Sequence, residues 1–108
     1  MKTEETGRDF KANNTDNDNR KFNIKAAVHA ENGKVTRIDS GSVSSKDGGL
    51  ILGSFSQRDS RYNAEGGFTI TSVDAEMTAE VAHEVIAFVT ELREDVAAEY
   101  EQTQTEEN

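Results

Sequence analysis

No cysteine occurs in this chain, and proline and tryptophan are missing as well. Without cysteine there is no disulfide framework, no thiolate metal site and no cysteine nucleophile. A C-terminal helix has neither proline nor glycine near its end to stop it sharply. Aromatic residues make up only 6% of the chain, which leaves few rings for stacking on nucleobases. No segment has the apolar run of a secretory signal or of a bilayer span. The expectation is a soluble, cytoplasmic protein without a membrane partner.

Basic residues are also in deficit, with 12 Lys and Arg against 21 Asp and Glu and a net charge of −9. That total hides an uneven distribution. Residues 1–19 hold three basic and five acidic groups, residues 20–73 eight and five, and residues 74–108 one and eleven. The middle of the chain is mildly basic and its C-terminal third strongly acidic, so the folded surface is expected to be polarised.

A chain of 108 residues has room for one domain. Residues 1–20 carry a single isolated aromatic, Phe10, and 101–108 are almost wholly polar. Neither stretch has the apolar area to offset its ordering entropy, so a disordered arm and a disordered acidic tail are expected. The foldable part is then about 21–100, close to the lower limit at which one apolar core suffices unaided.

Within that part the strongest pattern lies between Met77 and Tyr100. At 100° per residue, Val81, Val85, Phe88, Val89, Leu92 and Val96 share one side, with Ala82 and Ile86 at its margin. Glu80, His83, Glu84, Thr90, Glu91 and Glu94 lie opposite. This predicts a helix laid on a sheet, starting between 75 and 79 with Asp74 or Thr78 as its cap.

The rest reads as strands. Phe22, Ile24, Ala26, Val28 and Ala30 alternate with polar or small residues, which predicts a first strand. Asn32-Gly33 signals a hairpin. A three-residue loop, Glu31 to Gly33, pairs Ala26 with Ile38 and Val28 with Thr36, keeps the large apolar groups on one face and leaves Lys25, His29 and Arg37 together on the outer one. Lys34–Ser45 forms the second strand, with a bulge expected at Gly41. A turn at 46–49 leads to a third strand from Leu50 to Gln57. Residues 58–67 are a loop or an extended hairpin, and 67–73 a β-branched fourth strand. The predicted architecture is α+β: a four-stranded antiparallel meander with one long C-terminal helix packed on one face (ββββα).

No motif assigns a reaction. His83-Glu84 begins an H-E-x-x-H pattern, but Ala87 stands where the second histidine belongs. Asp16, Asp18 and Asn19 resemble a calcium loop only superficially, because Lys21 and Ala27 occupy the positions of its glycine and bidentate glutamate. Gly33-Lys34 lacks the upstream glycine of a phosphate loop, and 41–45 lacks the second glycine of a nucleophile elbow. The two histidines fall on different elements, and nothing marks a carboxylate pair with separated pKa values. The expectation is a protein that is not an enzyme and uses no cofactor or metal.

Two functional readings follow. The first is a small binding or regulatory module that docks a protein partner on its sheet edge or helix. The second is weak single-stranded nucleic-acid binding on the outer sheet face, with Lys25, Arg37, Arg58 and Arg61 meeting phosphates and Tyr62 stacking on bases. The order of four strands then a helix resembles the single-strand-binding units of PUR-repeat and Whirly-type proteins, a likeness of topology without matching motif residues. It implies nucleic acid on the sheet and dimerisation through helices. A helix of this length is expected to overhang strands of about seven residues, leaving Val96, Ala97 and Tyr100 to form a homodimer interface.

Overall fold

The computed structural model describes residues 7–59 and 67–106. Among these residues five antiparallel strands follow one another in sequence order across a single sheet. They are β1 (Arg8–Asn13), β2 (Phe22–Glu31), β3 (Lys34–Ser45), β4 (Ile51–Gln57) and β5 (Phe68–Ser72). A single 3₁₀ turn, Ala75–Met77, then leads into helix α1, Thr78–Glu106. The fold is the expected antiparallel α+β meander under one long C-terminal helix, with one strand more than the pattern predicts.

The helix stripe and the strand alternation meet in one core. Ile24, Val28, Ile38 and Val43 from the sheet, with Val81 and Val85 from α1, are at most 2% exposed. Phe10 and Ala12 of β1 and Ile70 of β5 pack against this cluster from its margins. Gly53 lies under the helix, where an added Cβ would come within 3.1 Å of a Val81 methyl. At the other end Tyr100 covers Gly33 in the β2–β3 turn. The helix therefore crosses the sheet diagonally, from the start of β4 to the tip of the β2–β3 hairpin.

The additional strand comes from the segment expected to stay outside the fold. Phe10 pairs with Val28 and Ala12 with Ala26, so two small apolar contributions join the core while the backbone completes the edge of β2. The asparagine-rich connection after β1 is held by its own side chains rather than by burial. Asn14 Nδ2 donates to the Phe22 carbonyl and Asn14 Oδ1 accepts from the Ile24 N–H, both at 2.9 Å. Arg20 donates to Asn23 Oδ1 at 2.7 Å and to the Asn17 carbonyl at 2.8 Å. Asparagine replaces backbone partners in this way wherever a turn leaves them open.

The β2–β3 register also differs from the expected one. The turn has two residues, Asn32 (φ 51°) and Gly33 (φ 80°), closed by Glu31 opposite Lys34. Positive φ at both positions is the type I′ geometry that matches strand twist. Such a loop alone would put Val28 opposite Arg37. A bulge at Thr36 shifts the ladder by one, so that Val28 pairs with Ile38 and His29 with Arg37. Val35 and Thr36 are consequently both buried, and Thr36 Oγ1 donates to the His29 carbonyl at 3.2 Å. The bulge expected beside Gly41 is present, with Ser40 at φ 53°.

The α1 N-terminus follows the expected chemistry: Asp74 accepts from the Glu76 N–H at 2.9 Å and caps the 3₁₀ turn. At the other end α1 runs past Tyr100 to Glu106, because no glycine or proline interrupts it. The turn between β3 and β4 is pinned by Asp47, whose carboxylate accepts from the Ser45 hydroxyl and the Gly49 N–H. These donors hold its pKa below the ordinary carboxylate value. A lowered pKa contributes stability above the ordinary value, and that contribution disappears as pH falls through the lowered one. The Tm difference between the native chain and Asp47→Ala is therefore expected to shrink from pH 6 to pH 3, and a constant difference would contradict this role.

Candidate functional site

On the face of the sheet away from α1, antiparallel pairing aligns three side chains across β1, β2 and β3. Asp9 pairs with His29, and His29 with Arg37. His29 Nδ1 lies 2.7 Å from Asp9 Oδ1, and its Nε2 lies 3.5 Å from Glu31 Oε1. Arg37 donates through Nε to Asp39 Oδ2 at 2.8 Å and lies 3.7 Å from Asp9 and 3.9 Å from Asp59. The expected neighbours His29 and Arg37 are thus together, but carboxylates occupy both ring nitrogens and the guanidinium.

The remaining candidate cations are dispersed. Lys25 is exposed between Asn13 and Ser42, four residues along β2 from His29, about 13 Å away at strand rise. Arg58 is exposed just after β4, where its N–H donates to the Gly67 carbonyl at 3.0 Å. Arg61 and Tyr62 lie outside the described residues. Phe22 and Phe55 are buried, and Phe68 belongs to the helix side of the sheet. The outer face therefore presents mixed charge among the described residues, rather than a cationic track with rings beside it.

Val96, Ala97 and Tyr100 do not form a solvent-facing apolar end. Val96 is 3% exposed, Ala97 is half-buried, and Tyr100 packs over Gly33. The length mismatch that motivated the overhang is absent, because β2 and β3 have 10 and 12 residues and reach as far as Tyr100.

A cleft lies elsewhere, between β1 with its following turn and one flank of α1. This cleft has a volume of about 810 Å³. Phe10, Ala12, Leu92 and Val96 form its apolar floor. Asp16 and Asp18 rim one side, and Glu91, Asp95 and Glu99 the other. Glu99 is tied to Arg8 at 2.6 Å, and Arg8 also covers the Phe10 ring at 4.7 Å. The carboxylates of Asp16, Asp18, Glu91 and Asp95 have no cationic partner among the described residues. Their charge is therefore available to a ligand.

The residues of this cleft carry no sequence signature as a set. Glu91, Asp95 and Glu99 recur at i, i+4 and i+8, so one helix flank could have been read as acidic. Their apposition to Asp16 and Asp18 depends on β1, whose pattern is too weak to announce a strand. Comparison with protein families, curated proteins and solved structures yields no match for this chain. No group of three or more histidine, aspartate or glutamate side chains among the described residues is arranged to hold a metal ion. No helix among the described residues is long and apolar enough to cross a membrane.

Proposed function

We propose that this protein is a non-enzymatic interaction module that docks a basic, amphipathic segment of a partner protein in the cleft between β1 and α1. The observation that carries this reading is a rim of unneutralised carboxylates, Asp16, Asp18, Glu91 and Asp95, around the apolar floor of Phe10, Ala12, Leu92 and Val96. Carboxylates favour lysine and arginine, and the floor favours the aliphatic side chains between them. On the opposite face of the sheet Arg37 is already engaged by Asp9, Asp39 and Asp59 and Lys25 stands apart from it, which weighs against phosphate as the ligand.

A fluorescent peptide alternating lysine and leucine provides the probe. Its affinity is expected to fall between about 0.01 M and 0.15 M salt, as the Debye length shortens from about 30 to 8 Å. Glu91→Lys with Asp95→Lys is expected to weaken binding at least about tenfold, or roughly 1.4 kcal/mol. Equal binding by the charge-reversed variant would overturn the proposal. So would a labelled single-stranded oligonucleotide that binds as tightly as the peptide, because that outcome moves the site to the outer sheet face.

A further inference from the structure

β5 ends the sheet, and among the described residues its open edge carries none of the usual protections. Its sequence, Phe68-Thr69-Ile70-Thr71-Ser72, contains neither charge nor proline and pairs with β4 without a bulge. Natural edges are commonly blunted by lysine, proline or bulges, because an unprotected edge is a template for another strand. β1, at the opposite side, has Arg8, Asp9 and Lys11.

The ladder also shows which backbone groups are open. The Arg58 N–H donates to the Gly67 carbonyl at 3.0 Å, and the Val73 N–H to the Leu52 carbonyl at 2.9 Å. Backbone direction alternates along a strand, so Gly67, Thr69, Thr71 and Val73 turn toward β4. Phe68, Ile70 and Ser72 turn their N–H and C=O groups outward.

We propose that this edge pairs with β5 of a second copy of the chain, antiparallel about a twofold axis at Ile70, to form one continuous sheet. The twofold places Phe68 opposite Ser72 of the partner subunit, and Ile70 opposite Ile70 of the partner subunit. Every outward-facing group of β5 then has a partner, and the same surface serves both copies.

Charge selects a second copy for this edge. At 100° per residue the α1 flank beside β5 carries Ala79, Ala82, Ile86, Thr90 and Arg93. It holds no carboxylate, whereas Glu91 and Asp95 project from the flank toward β1. Two chains of charge −9 can therefore approach along a helix flank without carboxylates. Phe68 (36% exposed) and Ile86 (56% exposed) lie on that side, around a groove of about 200 Å³ with Val89, Thr90 and Arg93. The twofold brings these apolar groups from both copies to the helix side of the joined strands. The β5 edge is separate from the acidic cleft, so either proposal can fail without the other.

Sedimentation equilibrium tests the pairing. Mass is expected to rise with concentration from 11.9 kDa toward twice that value. Thr69 and Thr71 are exposed and point away from α1, and across the axis Thr69 faces Thr71 of the partner subunit. Thr69→Lys with Thr71→Lys therefore sets like charges directly opposite one another without touching the core. The dissociation constant is expected to rise at least tenfold, with circular dichroism and Tm unchanged. Ile86→Glu is expected to act in the same direction. Because the chain has no native cysteine, a mixture of Thr69→Cys and Thr71→Cys chains is expected to form a disulfide-linked heterodimer in preference to either homodimer. Equal cross-linking of all pairs would overturn the register. A mass of 11.9 kDa at every concentration would overturn the proposal and leave the edge to an extended segment of another protein.

Discussion

Val85→Asp is expected to unfold the domain, whereas Ile86→Asp, one residue further along α1, is expected to leave it folded. Val85 is 0% exposed at the centre of the helix stripe, while Ile86 is 56% exposed on the flank beside β5. The first change removes a buried valine, a loss of about 1.5–3 kcal/mol, and adds the several-kcal/mol desolvation of an unpaired carboxylate. A domain of this size has roughly 5–15 kcal/mol of stability in total, and the lower part of that range applies to so small a core. The second change alters exposed surface away from caps and ion pairs, where effects stay within about 0.5 kcal/mol. Far-ultraviolet circular dichroism and urea titration distinguish the two. A cooperative native transition in Val85→Asp would show that the stripe does not face the sheet as described.

Gly41→Ala is expected to lower stability by about 3 kcal/mol, at the upper end of the overpacking range, and Tm by roughly 10–20 °C. The cause is close approach rather than backbone conformation. An added Cβ would sit 2.5 Å from the Phe55 carbonyl oxygen and 2.7 Å from its ring. Gly41 pairs directly with Phe55, so relief requires opening the β3–β4 ladder. The ring cannot simply step aside, because it contacts Phe68 and Phe88 at centroid distances of 6.3 and 6.2 Å. Gly48→Ala is the informative control. Nothing lies within 4 Å of its added Cβ, but its φ is +80°, so only the left-handed penalty of about 1–2 kcal/mol applies. Equal effects at the two glycines would refute the packing explanation for Gly41.

How much of this was legible beforehand depends on the range over which each feature is encoded. The helix face was readable because Val81, Val85, Val89, Leu92 and Val96 each repeat the 3.6-residue period, and all are buried. The inner face of β2 was readable for the equivalent reason at period two. The β2–β3 register was not, because it depends on a bulge at Thr36, a β-branched residue that looks ordinary in a strand. Without that bulge, a two-residue Asn-Gly turn and a shared apolar face conflict. A three-residue loop then looks preferable. β1 has no readable strand pattern, because its two inward apolar residues, Phe10 and Ala12, lie among charged and amide side chains. Its order comes from pairing with β2, together with the Asn14 and Arg20 hydrogen bonds beyond it. The same gap hid the acidic cleft, one wall of which is β1 and its turn. His29 and Arg37 were expected on one face, but the Asp9 carboxylate that engages them arrives with the unrecognised strand.

The cleft is the part of the molecule on which the functional proposal rests, and amide chemical-shift mapping examines it most directly. The isotopically labelled chain is titrated with the lysine–leucine peptide at low salt. Shift changes are expected to concentrate in residues 8–19 and 88–99, the β1 side and the α1 flank that line the cleft. They are expected to be minimal at Lys25, Arg37 and Arg58 and along β5. Changes centred on the outer sheet face, or spread uniformly over the acidic helix from Glu80 to Glu101, would contradict a defined docking site between β1 and α1.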